Sequence, residues 1–293
     1  MSRPTRTIRF VAKEDSKVRR GGSTPCNAPL TSLHLVQIYY GQPVQTDDIG
    51  LLYHAKSLLT AHTLSASPLS PTCVVTSTLR TVARLLSPLT GDEIKTIRGL
   101  GAQFPAPGTK AVKPEVPVLF YKPVTSISGP EDPIIIPVSA RGMNNDYEVE
   151  LCVVLGKTAL NVSVEKALDY VGWYCTSNDV SAPSRIVSLC LEAEQLLRRF
   201  LLVDSAPRGC SGASGNLMIV GPDLRRRWPI ALLTWGTAWC PIGPCLVARD
   251  QIKNPQNLSI KTTVNGITRQ LSNTSQMVLS VVGYRAYSAL RRP

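Results

Sequence analysis

The sequence predicts a mixed α+β domain dominated by strands. Three observations carry that expectation: many short runs in which apolar and polar residues alternate, one helix-like segment at 164–171, and an Asn265-Gly266 dipeptide between two alternating stretches. Side chains alternate across a strand with period 2 but recur on a helix face near period 3.6, so short two-residue periodicity repeated along a chain points to sheet. Segments of both kinds in one chain give an α+β arrangement.

At 293 residues the chain is long enough for one large domain, or a small one joined to a large one. Hydrophobic residues make up 43% of it and the mean hydropathy is +0.04, which fits a globular chain. The apolar runs at 134–138 and 151–155 are far shorter than the roughly 20 residues a bilayer requires, so neither a transmembrane helix nor a membrane partner is expected. The N-terminal MSRPTRTIRF is basic without an apolar core, unlike a secretory signal. Eight cysteines occur without any C-x-x-C pair, and Cys152 and Cys175 fall in apolar runs where a thiol serves as a small hydrophobe. A reducing compartment follows, cytoplasmic or else mitochondrial. The net charge of +12 raises the question of nucleic acid, but the arginines cluster at 198–199, 225–227 and 291–292, and only 6% of residues are aromatic. A stacking basic stripe is not evident, so no nucleic-acid partner is expected.

In chain order, 7–12 alternates as a strand, and 38–40 leads through Gly41-Gln42-Pro43 as a strand and turn. Between them, the Gly-, Pro- and Ser-rich stretch near 19–37 reads as an inserted loop or as a translated stretch of non-coding sequence, with His34 incidental within it. An amphipathic helix is expected over 76–86, closing at Ser87-Pro88. His54 and His62 lack an acidic partner at ligand spacing and read as surface or core residues. Strands are expected at 94–100 and 117–123, the second ending in Lys122, read as a solvated strand-end lysine. SISGPEDPIIIP reads as a turn and a buried strand. YEVELCVVL is the next strand, followed by the helix at 164–171 and a strand at 172–176 that ends in Asn178-Asp179. Asn265-Gly266 signals a hairpin, because both residues tolerate the positive φ of a type I′ turn. A loop near the pocket is expected at 270–277.

Chemistry concentrates in 146–182. Glu148 and Glu150 lie two apart in a strand-like run, so both face one side while Val149 and Leu151 face the other, giving one acidic and one apolar face. The returning strand could bring Asp179 beside them. Three carboxylates on one wall repel one another, and a hard divalent cation with oxygen ligands relieves that repulsion. A solvated acidic face is the competing reading of the same alternation.

PVLFYKPVTSISGPEDPIIIP, DYEVELCVVLGK, ALDYVGWYCTSNDVSA, CPIGPCLV and VNGITRQLSNTSQM occur in that order. Together they resemble the fumarylacetoacetate hydrolase family, in its acylpyruvase and oxaloacetate decarboxylase-tautomerase-like branch. The resemblance implies the family's β-roll, here incomplete, over 93–293, preceded by a small N-terminal β module over 1–75. It implies Glu148, Glu150 and Asp179 as ligands of Mg2+ or Mn2+, a small β-dicarbonyl or α-keto acid substrate, and a homodimer. The implied reactions are C–C hydrolysis, decarboxylation or keto-enol tautomerisation.

The sequence also departs from the family. No His and no paired Glu occur between Gly99 and Lys113, where a water-activating dyad is expected, so no catalytic residue is assigned. Pro183 replaces the Arg of an NDVSAR-like motif, and Arg185 does not restore its spacing. The segment 183–236 reads as an unrelated interruption, and the chain ends at 293 before a T-G-T-P-like segment, which suggests a C-terminal truncation. The alternative to a working enzyme is therefore an impaired derivative that binds metal or a partner subunit.

Overall fold

Alternation in RTIRFVA buries Ile8, Phe10 and Ala12 on one side, and this segment is the strand that joins the two halves of the molecule. The computed structural model describes residues 2–16, 37–101, 103–104, 118–160, 162–182, 217–221 and 239–281. In chain order the elements are β1 (Arg6–Ala12), α1 (Lys13–Ser16), β2 (Ile38–Pro43), α2 (Ile49–His54), β3 (Thr60–Leu64), β4 (Val75–Leu86), β5 (Thr96–Gly101) and β6 (Val118–Lys122). They continue with β7 (Ile127–Ser128), β8 (Val149–Leu155), β9 (Val171–Asn178), β10 (Leu217–Gly221), β11 (Cys240–Pro241), β12 (Leu246–Ala248), β13 (Ser259–Val264) and β14 (Ile267–Asn273). Strands dominate, as the alternation predicts. No helix among the described residues is long and apolar enough to cross a membrane.

The main sheet has the order β2-β3-β4-β1-β12-β9-β8-β10-β5-β6, and β2 also pairs with β1. That extra pairing closes β1 to β4 into a small barrel around Ile8, Phe10, Ile49, Ala61, Val82 and Leu85. Closure removes the exposed strand edges that a four-stranded piece would otherwise present. The first residues of β1 pair with β12, Arg6 opposite Val247, which carries the ladder from the barrel into the larger sheet.

Several elements differ from expectation. Residues 76–86 form β4, not a helix, and complete a barrel that therefore reaches past residue 75. Leu79, Val82 and Leu85 have helical spacing, but Thr76, Thr78, Thr81 and Val82 are β-branched, and pairing on both sides with β1 and β3 decides the outcome. Residues 134–138 are not a buried strand: Ile135 is 51% and Val138 75% exposed. Pro133 and Pro137 withhold backbone donors that a ladder would use. The segment at 164–171 contracts to one 3-10 turn, Ala167–Tyr170, which runs directly into β9. Within 183–236, residues 217–221 form β10, parallel to β8 and antiparallel to β5, so this segment supplies a central strand. The remainder of 183–236 lies outside the described residues, as do His34 and most of 99–113.

The β13–β14 hairpin forms as expected, with Asn265 at φ 50° and Gly266 at φ 77° in its turn. Its second strand continues through Asn273, so only 274–277 of the expected loop lies beyond the ladder. Strands β8 and β9 are covered on both faces. Leu151, Val153, Leu155 and Tyr174 pack into one cluster, and Cys152, Val154, Trp173 and Cys175 into another on the opposite face.

Candidate functional site

The acidic pair lies on the second of those faces, in line with Cys152 and Val154. One side of β8 is therefore acidic only at its N-terminal end and apolar thereafter, rather than acidic throughout. The register sets Val149 opposite Asn178 and Glu150 opposite Ser177. The Asp179 N–H donates to the Glu148 carbonyl at 2.8 Å, which continues the ladder and sets Glu148 across from Asp179. Directly opposed residues share a face, so Glu148, Glu150 and Asp179 all face the same side. Glu150 and Asp179 are 0% and 1% exposed and Glu148 8%, which rules out a solvated acidic face.

Sequence reasoning missed the cation at this site. Lys122, at the end of β6, is 3% exposed, and its Nζ lies 2.6 Å from Asp179 Oδ1. The same ammonium donates to the Val180 carbonyl at 2.8 Å and the Trp239 carbonyl at 3.0 Å. The ammonium thus makes two hydrogen bonds to backbone carbonyls and a buried ion pair with the carboxylate. Alternation in VLFYK sets Lys122 on the face shared by Phe120, but only the pairing of β6 with the fully buried Ile97 in the assembled sheet shows that this end is covered.

The surrounding wall is dry. Trp239 is buried with Ala140, Val180 and Ala182, and its indole N–H donates to the Ile135 carbonyl at 2.8 Å. Val180 N–H donates to the Trp239 carbonyl at 3.2 Å, so the two ends of the interval 183–238 meet beside Lys122. Beneath them lie three buried thiols. Burial pushes the Cys240 thiol up to about 12, and a hydrogen bond with Cys175, together with burial, holds Cys152 well above its usual range. All five described cysteines are free thiols, and these buried ones have the character of packing groups.

The donor chemistry suits a hard divalent cation: three carboxylates on one buried face supply oxygen ligands. Their side chains do not converge on a single point in this conformation, since no group of three His, Cys, Asp or Glu residues among the described residues is placed to hold an ion. Asp179 is turned onto Lys122 instead. His54 and His62 lie on α2 and β3 of the small barrel. Two cavities of about 330 Å3 open elsewhere, one beside Tyr174, Arg249 and Lys253 and one beside Lys13, Tyr53 and His54.

Residues 95–201 and 230–287 match the family described as fumarylacetoacetate (FAA) hydrolase C-terminal. The match runs through 201, so the interval without family counterpart is narrower than 183–236. The chain is 39% identical over 185 residues to a caffeoylpyruvate hydrolase of Neonothopanus nambi, covering 60% of this chain and 57% of that one. It is 31% identical over 205 residues to the mitochondrial oxaloacetate tautomerase fahd2 of Xenopus laevis, covering 70% and 52%. The chain thus spans about half the length of these relatives. Both carry the names of enzymes, a hydrolase and a tautomerase, and give no support to an impaired derivative. The structure of a 2-hydroxyhepta-2,4-diene-1,7-dioate isomerase from Mycobacterium marinum superposes with a TM-score of 0.59 at 21% identity, over 98% of this chain and 82% of that one. That likeness is one of fold. With more than half of its residues matched and the two glutamates and the aspartate on one buried face, the chain belongs to the fumarylacetoacetate hydrolase family.

Proposed function

We propose that the chain is a divalent-metal-dependent enzyme acting on small α-keto or β-dicarbonyl acids, with Glu148, Glu150 and Asp179 as ligands of Mg2+ or Mn2+. The observation that carries this reading is the placement of Glu148 across from Asp179, with Glu150 beside them, on one buried face. A bound divalent ion would supply Lewis acidity toward the keto oxygens of such a substrate.

The chain's own residues contribute the rest. Glu148 and Glu150 project from one strand whose register fixes their spacing, and Asp179 comes from the neighbouring strand. Lys122 restrains the Asp179 carboxylate, and it adds a fixed positive charge at a site where negative charge develops on the substrate. Trp239, Val180 and Ala182 keep water from the wall beside that charge. A positioned base for an attacking water is not provided by the sequence between Gly99 and Lys113, which contains neither His nor a Glu pair. Tautomerisation or decarboxylation of an α-keto acid, which needs no attacking water, is therefore favoured over hydrolytic C–C cleavage. The family resemblance also supports a homodimer, which light scattering of the purified chain checks.

The test is an assay of the purified chain on oxaloacetate and on an acylpyruvate, with and without EDTA, followed by addition of Mg2+ or Mn2+. The expected result is an EDTA-sensitive, metal-restored turnover that is greater on oxaloacetate. General-base assistance typically contributes about 10²–10⁴-fold, which sets the deficit expected on the acylpyruvate. Turnover unaffected by EDTA contradicts the metal reading, and robust acylpyruvate cleavage contradicts the substrate preference.

A further inference from the structure

The glutamate pair is held from a second side by a residue of the β13–β14 hairpin. Toward β9, the backbone of Glu148 is engaged twice: its N–H donates to Asn178 Oδ1 at 3.1 Å and its carbonyl accepts from Asp179 N–H at 2.8 Å. The flanking Tyr147 and Val149 present their backbone groups to the opposite edge, because successive residues of a strand alternate in direction. Among the described residues, β10 covers that edge only from Leu151 to Val154. At 147–149 the Gln270 side chain takes its place. Gln270 Oε1 accepts from Val149 N–H at 3.0 Å, and Gln270 Nε2 donates to the Tyr147 carbonyl at 3.2 Å. One primary amide thus supplies the donor and the acceptor that a neighbouring strand would have supplied.

The amide is itself oriented. Thr262, directly opposite Gln270 in the hairpin ladder, donates its hydroxyl to the same Oε1 at 2.8 Å. Two donors therefore fix the oxygen, which leaves the NH2 aimed at Tyr147. Such fixing matters because a one-residue slip of a strand turns all its side chains to the other face. At 147–149 that slip would carry Glu148 and Glu150 away from Asp179.

We propose that Gln270 is a positioning residue for the Glu148 and Glu150 carboxylates, a clasp that sets the register of the first residues of β8. This inference rests on the metal-site reading above, and its test separates the two. Mn2+ affinity is measured by calorimetry on the full chain and on Gln270→Met, which keeps the bulk and loses both hydrogen bonds. The exposed Leu271→Ala on the same strand serves as a control. Residues that hydrogen-bond around metal ligands typically alter metal affinity by about 10–100-fold when replaced. A loss of at least tenfold in Gln270→Met, with unchanged affinity in Leu271→Ala and a cooperative unfolding transition in both, is expected. Unchanged affinity in folded Gln270→Met overturns the proposal. If Gln270→Met does not fold, Gln270→Asn, whose shorter side chain cannot reach both backbone groups, is measured in its place against the same criterion. If the unaltered chain takes up no Mn2+, the metal reading has failed, and amide exchange decides on Gln270. Exchange at Val149 should then be at least tenfold faster in the variant, with Cys152 unchanged, and an unchanged Val149 rate overturns the clasp.

Discussion

Lys122 Nζ and Asp179 Oδ1 meet at 2.6 Å in a pocket where both side chains are at most 1% exposed. The two residues come from β6 and from the end of β9, on opposite sides of the strands that lie between them in the sheet order. The same nitrogen also holds the carbonyls of Val180 and Trp239, so one buried cation ties a candidate metal ligand to both ends of the interval 183–238. A buried charge that loses its partner is costly, whereas a matched replacement of both partners is cheaper.

Lys122→Met is accordingly expected to destabilise the chain by about 3–5 kcal/mol, measured by urea unfolding. Adding Asp179→Asn should recover part of that loss, giving a non-additive double-mutant cycle. Additive effects would show that the pair is not energetically coupled. Lys122→Arg should not substitute for lysine, because a planar guanidinium cannot place one nitrogen against both carbonyls and the carboxylate at once.

The approach of β6 to β5 depends on Gly99. A Cβ added there would lie 1.9 Å from the Phe120 ring, which packs directly across from it. Gly99→Ala should cost roughly 1–3 kcal/mol through overpacking, and Phe120→Leu in the same chain should relieve much of that cost. Thermal unfolding of the single and double variants checks this, and a neutral Gly99→Ala would show that the ring moves aside freely.

Stability should fall in alkali. The Cys240 and Cys245 thiols are raised by burial from 9.0 to about 12 and about 11. Their neutral form is favoured in the folded state, so this contribution is fully present below pH 9 and is lost as pH rises toward the folded values. Above pH 9 the unfolded chain releases protons that the folded chain retains, and each such thiol lowers stability by up to about 1.4 kcal/mol per pH unit. Urea midpoints at pH 7.5, 9 and 10.5 should therefore decline over the last step, less steeply in Cys240→Ala. A midpoint independent of pH in this window would contradict the burial of these thiols.

Features set by neighbouring residues were legible in the sequence, and those set by distant partners were not. Asn265-Gly266 encodes its turn locally, and the alternation of Glu148 and Glu150 with Val149 and Leu151 is a property of one strand. Strand β4 carries an ambiguous period that only its two ladder partners resolve. The burial of Lys122 depends on carbonyls 58 and 117 residues away, so a strand-end lysine reads as solvated until the sheet is assembled. Residues 217–221 likewise become a central strand only through pairing with β8 and β5. The match to family motifs located the acidic residues; the sheet register shows why they share a face.

The central claim is that Glu148, Glu150 and Asp179 form one divalent-metal site, and titration of the EDTA-stripped chain with Mg2+ and Mn2+ by calorimetry tests it most directly. Rotation of the three side chains, with Asp179 turning from Lys122, would need to bring their oxygens to roughly 2.0–2.1 Å from a single Mg2+. One site per chain is predicted, with affinity reduced at least tenfold in Glu150→Gln and in Asp179→Asn, and abolished when Glu148→Gln is combined with both. Unaltered affinity in that triple variant, or no binding by the unaltered chain, would contradict the account.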